Sequence, residues 1–119
     1  MSAEALAIAD QVRSARLRAA TLRIVGGGNW MDAGQRCPAS EPLSLEGLHG
    51  IVSYAPGDLT LTARAATSLS EIAQVTAAEN QWLTLDPPGS RHGTIGATVA
   101  TASSGPLASA FGTPRDHVL

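Results

Sequence analysis

Near the start of the chain, Ala5, Ile8, Val12, Ala15 and Ala19 recur at helical spacing and predict a helix over 2–20 with one apolar face. Ser2 is placed to cap it, Glu4 lies in its first turn, and Arg13, Arg16 and Arg18 lie toward its end. Those signs complement a helix dipole, so the basic residues read as a solvated face suited to a helix terminus. The pattern then shortens. Leu22–Val25 has the apolar, partly β-branched character of a strand and runs straight into Gly26, Gly27 and Gly28. Residues 31–42 show no period and carry Gly34, Cys37 and Pro38, which reads as loop; 43–48 reads as a short strand or turn.

A hairpin is the clearest element of the middle of the chain. Strands over 51–54 and 59–64 flank Ala55-Pro56-Gly57-Asp58, and Leu59, Leu61 and Ala63 alternate with Thr60, Thr62 and Arg64. Ser68-Leu69-Ser70-Glu71 has the form of a capping box and opens a helix predicted to reach Glu79. That helix is expected to bury Leu69, Ile72, Ala73 and Thr76, with Asn80 ending it. Residues 82–85 read as a short strand before Asp86-Pro87-Pro88-Gly89. Arg115-Asp116-His117-Val118-Leu119 reads as the approach to another strand. The mixture is α+β.

Composition narrows the function classes. The 119 residues form one small domain or part of a larger one, and the 44% hydrophobic share is typical of a globular chain. Few side chains are aromatic, so a core of Ala, Leu, Val and Ile buries little area per residue and predicts modest stability. A net charge of −2 with scattered arginines argues against a nucleic-acid surface. The single Cys37 excludes an internal disulfide and reads as an ordinary thiol on a loop away from the glycine stretches. No apolar run approaches the roughly 18 residues of a membrane span, and no signal-peptide core opens the chain, so a cytoplasmic location is the expectation.

Two stretches carry candidate chemistry. Glycine lets backbone approach a ligand closely, and the amides of Gly26, Gly27 and Gly28 can line a concavity for an anion such as a pyrophosphate. Taken alone, the triplet reads as a tight strand-ending turn. A dinucleotide fingerprint starting at Gly26 needs glycine where Met31 stands, and a Walker loop needs a lysine, which the chain lacks. About seventy residues downstream, 94–105 is built almost wholly of small side chains, with Thr94 as N-cap of a short helix. Its first amides are expected to face negative charge, although by itself the stretch reads as a closely packed helix. No catalytic acid or base stands out; His92 and His117 suit surface or structural roles.

Together, the hairpin, the capped helix, the Pro-Pro loop, "TIGATVATASSGP" and "FGTPRDHVL" resemble the flavin domain of the vanillyl-alcohol oxidase/p-cresol methylhydroxylase (PCMH) superfamily. Within it the sequence is most similar to FAD-binding subunits of bacterial glycolate oxidases. The most specific matches are 24–28, 86–105 and 112–119. The resemblance implies a two-subdomain PCMH-type FAD-binding domain, with residues 1–48 in the first subdomain and 49–119 opening the second. Because such domains continue further, it also implies a chain truncated at its C-terminus. It implies that Gly26, Gly27, Gly28, Asn29 and Trp30 wrap the FAD pyrophosphate, and that Thr94, Ile95, Gly96, Ala97, Ser104 and Gly105 support the rest of the cofactor. Three positions depart from the pattern: Val25 replaces an arginine, Ala97 a second glycine, and Asn29 a histidine that links flavin covalently in some relatives. FAD is therefore expected to be held noncovalently. The implied activity is oxidation of a small 2-hydroxy acid, with a second flavin subunit and an iron–sulfur subunit as partners. The alternative is a non-catalytic assembly module or an inactive fragment of a multisubunit dehydrogenase.

Overall fold

The computed structural model describes residues 1–38, 40–89 and 92–119. Ala39, in the expected loop, and Ser90 and Arg91, in the 86–105 stretch, lie outside the described residues. Helix α1 spans Ala3–Leu17, and the Ser2 hydroxyl accepts the Ala5 amide at 3.3 Å. It stops before Ala20 because Ala19 turns left-handed at φ 54°, which returns the Ala20 amide to the Ala15 carbonyl. Only Ala15 of its apolar face is buried; Val12 is 44% exposed. Arg18 is more than a solvated charge. Its guanidinium grips Glu41 through both nitrogens, at 2.7 and 3.0 Å, and joins the end of α1 to the second strand.

Strand β1 (Leu22–Val25) pairs in parallel with β2 (Glu41–Ser44), Leu22 opposite Glu41 and Val25 opposite Ser44. The expected loop therefore ends at Ser40. Pro42 is tolerated inside β2 because, among the described residues, that strand has a neighbour on one side only, so its missing donor is no loss. Strands β3 (Ile51–Ala55) and β4 (Thr60–Ala63) form the predicted hairpin, closed by a 3-10 turn over Pro56–Asp58 with Leu59 left-handed. Gln81 fastens that turn: its amide donates to the Pro56 carbonyl, and its oxygen accepts from the Tyr54 hydroxyl at 2.6 Å.

Helix α2 spans Leu69–Ala77, with Ser68 accepting the Glu71 amide; the reciprocal contact from the Glu71 side chain is absent among the described residues. Ile72 and Thr76, one turn apart, are its buried stripe. Leu69 is half-buried and Ala73 exposed, against expectation, because so short a helix presents only one row to its neighbours. Asn80 does turn left-handed, but the helix has already ended at Ala77.

Residues 82–85 join no ladder among the described residues. Trp82 instead packs edge-on against Phe111, with ring centroids 5.4 Å apart. Helices α3 (Ile95–Ala100) and α4 (Ala108–Phe111) follow, and the expected terminal strand is a helical turn, α5 (Pro114–His117). The cause is a capping box: Thr113 donates its amide and hydroxyl to Asp116 at 2.7 and 2.8 Å, and Pro114 sits at the first helical position.

The buried centre is rich in threonine. Thr67 is fully buried, and its hydroxyl both accepts the Gly50 amide and donates to the Gly50 carbonyl. Its own carbonyl accepts the Ile95 amide, so Thr67 ties the start of the hairpin to the start of α3. Ser68 and Thr94 form a single antiparallel bridge beside it. Helices alongside two small sheets give the α+β class.

Candidate functional site

The last link of the β1–β2 ladder is the Leu45 amide on the Val25 carbonyl, at 2.8 Å. Beyond it the chain enters the glycine triplet, whose three amides donate to no protein acceptor among the described residues. Gly28 is left-handed at φ 74°. The triplet presses against the residues before α3. A Cβ on Gly26 would lie 3.0 Å from the Thr94 hydroxyl, and one on Gly27 would lie 3.5 Å from the His92 carbonyl. Thr94, 5% exposed, is held there by its bond to the Ala97 amide.

These contacts form one wall of a groove of about 670 Å³, a volume in the range of small-molecule sites. Gly26, Gly27, Gly28, Asn29 and Trp30 line it, and so do Thr94, Gly96 and Ala97. Stretches distant in sequence thus share one surface. Ile95, Ser104 and Gly105 do not line it. The Ile95 amide is bound to Thr67, and a Cβ on Gly105 would collide with the carbonyl oxygen of Asp86, whose carboxylate also accepts the Leu107 amide. Gly105 is therefore a packing glycine. Gly96 has a packing reason as well, since a Cβ there would lie 2.6 Å from the Ala65 oxygen.

Two expectations need correction. The first amides of α3 are not open to an anion: Ile95 donates to Thr67, Gly96 to Ala65 and Ala97 to the Thr94 hydroxyl. A short helix packed this tightly spends its end groups internally, so the free donors are those of the triplet. Nor does Cys37 lie away from the glycine stretches. It lines the same groove, beside Arg36, because β2 returns parallel to β1 and draws the intervening loop back over the triplet. Among the groove residues that sequence reading missed are Arg23, Arg36 and Cys37. Their only sequence signal would be the pairing of β2 with β1, which a run containing Pro42 conceals.

A smaller cavity of about 270 Å³ lies across the triplet, lined also by Ser44, Glu46 and Ala66. No His, Asp, Glu or Lys lines the larger groove among its described residues, so it offers backbone donors, small side chains and two arginines, not a proton-transfer pair. His117 is engaged elsewhere, its Nε2 lying 2.9 Å from the Phe111 carbonyl. Among the described residues no cluster of His, Cys, Asp or Glu suits a metal ion, and no helix is long and apolar enough to cross a membrane.

A protein-family model described as an FAD binding domain matches residues 3–119. No curated protein and no solved structure matches the chain. A groove with free amides at a glycine triplet and no acidic lining among the described residues suits a cofactor whose centre is a diphosphate. Matched over nearly its whole length, the chain belongs to the FAD binding domain family of the PCMH/vanillyl-alcohol oxidase flavoproteins.

Proposed function

We propose that this chain is the FAD-holding segment of a glycolate dehydrogenase-like oxidoreductase acting on a small 2-hydroxy acid. The observation that carries the reading is the meeting, in one groove, of the unpaired amides of Gly26–Gly28 with the small residues Thr94, Gly96 and Ala97. In this reading the triplet takes the diphosphate, Asn29 and Trp30 flank it, and Thr94, Gly96 and Ala97 form the wall beside it. Ile95, Ser104 and Gly105 support that wall from behind. The flavin, when bound, supplies the redox chemistry. The chain supplies position, close backbone approach and partial exclusion of water.

Retention is noncovalent, because an amide at Asn29 cannot make the bond that a histidine makes. Residues 1–48 and 49–119 belong to two subdomains, and the assembly includes a second flavin subunit and an iron–sulfur subunit in the cytoplasm. Large exposed apolar side chains outside the groove, Val52 and Leu59 among them, favour such a covering partner. They equally suit the second reading, an assembly module that holds no flavin. The deciding experiment is to soak the purified chain in FAD, remove free cofactor on a desalting column and record the visible spectrum. A retained flavin band is expected; colourless protein supports the assembly module.

A further inference from the structure

We infer that Arg23 and Arg36 are the cationic ligands of the bound diphosphate, supplying from the strand and the loop the charge that Val25 does not. This rests on the FAD reading of the groove. Both arginines line the 670 Å³ groove, and neither makes an ion pair or a hydrogen bond among the described residues. The cations of α1 with pairs, Arg13 and Arg18, are by contrast spent on Asp10 and Glu41.

The second cavity makes the choice of side definite. Gly26, Gly27 and Gly28 line both spaces, so their position alone does not say which one receives an anion. Among the described residues, the smaller space carries Glu46 and no basic residue, and the larger carries two arginines and no acidic residue. In a chain of net charge −2, this is a local reversal of sign beside free amide donors. A diphosphate with two negative charges matches it, and guanidinium groups bind phosphate oxygens in pairs. Asp32, on the same loop as Arg36, does not line the groove and makes no ion pair with Arg36.

The test is to measure the dissociation constants of FAD and riboflavin at low and high salt for the wild type, Arg36→Gln, Arg23→Gln, Arg36→Lys and Glu46→Gln. Circular dichroism checks that each variant folds. Each glutamine variant should bind FAD about tenfold more weakly at low salt, as expected for one lost charge-assisted contact. The salt dependence of FAD binding should flatten, and riboflavin, which has no phosphate, should bind as before. Arg36→Lys should keep the salt dependence, and Glu46→Gln should change neither ligand more than about twofold. Arg36 lies on an exposed loop, so its variants stand even if Arg23→Gln disturbs β1. FAD binding that Arg36→Gln leaves intact, or losses equal for FAD and riboflavin, would overturn the inference alone. Marked tightening in Glu46→Gln would overturn the choice of side. A wild type that binds no FAD overturns the groove reading itself.

Discussion

Gly27 and Gly28 respond differently to a side chain, and the difference separates binding from folding. Gly27 is not left-handed, and the nearest atom to a Cβ there is the Asn29 amide nitrogen at 3.1 Å, the end of a side chain that can move. Gly27→Val is therefore expected to keep the circular dichroism spectrum while weakening FAD binding at least tenfold, because the branched side chain covers the free amides. Gly28, at φ 74°, is different: Gly28→Val should cost about 1–3 kcal/mol of stability, read from a denaturant titration. The triplet's turn was legible from its glycines, but its place in a ligand groove was suggested only by the resemblance of the downstream stretch, since alone it reads as a strand-ending turn. The consumption of the α3 amides was not legible, because it depends on Thr67 and Ala65, which only the fold brings beside Ile95 and Gly96. Cys37 bears on attachment. All flavin should appear in the supernatant after acid precipitation, and colour in the pellet that Cys37→Ser releases would identify the thiol as a link.

Elements read well where their signals are local. The start of α1, the strand β1, the hairpin and the N-caps of α2 and α3 each follow from neighbours within a few residues of one another. The failures share a cause: Trp82, Leu83, Leu85, Val118 and Leu119 signal apolar surface, and apolar surface does not specify a ladder partner. In the tail, the Thr113–Asp116 box outweighs that signal and makes a helical turn. Its carboxylate can be followed by pH. Bonds from the Thr113 amide, and then from its hydroxyl, hold Asp116 below the usual aspartate range. A depressed folded pKa means the stabilisation is present above the unfolded value of about 3.9 and fades as pH falls through the lower folded value. The Thr113 amide resonance should accordingly titrate with a midpoint under 3.9 and lose that titration in Asp116→Asn. Glu41 is lowered in the same sense, chiefly by the hydrogen bond from Arg18, and that exposed pair should weaken with added salt.

At the scale of the whole molecule, surface is the dominant quantity. The chain exposes 8194 Å², whereas a compact monomer of its 12.1 kDa mass exposes about 6,000 Å². Its radius of gyration is 15.6 Å against about 13.5 Å for a compact domain of this length. Two-stranded sheets leave both ladders open at their edges, and Ala15, Leu43 and Ile72 are the buried hydrophobic residues among those described. The isolated chain is expected to melt broadly or to associate as concentration rises, measured by calorimetry and by size-exclusion chromatography with light scattering. A sharp, reversible transition above ~60 °C from a monomer would contradict this. The positions of the tryptophans provide a way to follow both events. Trp30 lines the groove, whereas Trp82 stands edge-on to Phe111 at the C-terminal segment. Emission from Trp30 should be extinguished by energy transfer when a flavin enters, and the emission wavelength of Trp82 should register whatever comes to cover the Phe111 face. Trp30→Phe and Trp82→Phe would isolate these two colours of signal, so that occupancy and enclosure can be timed separately in one cuvette.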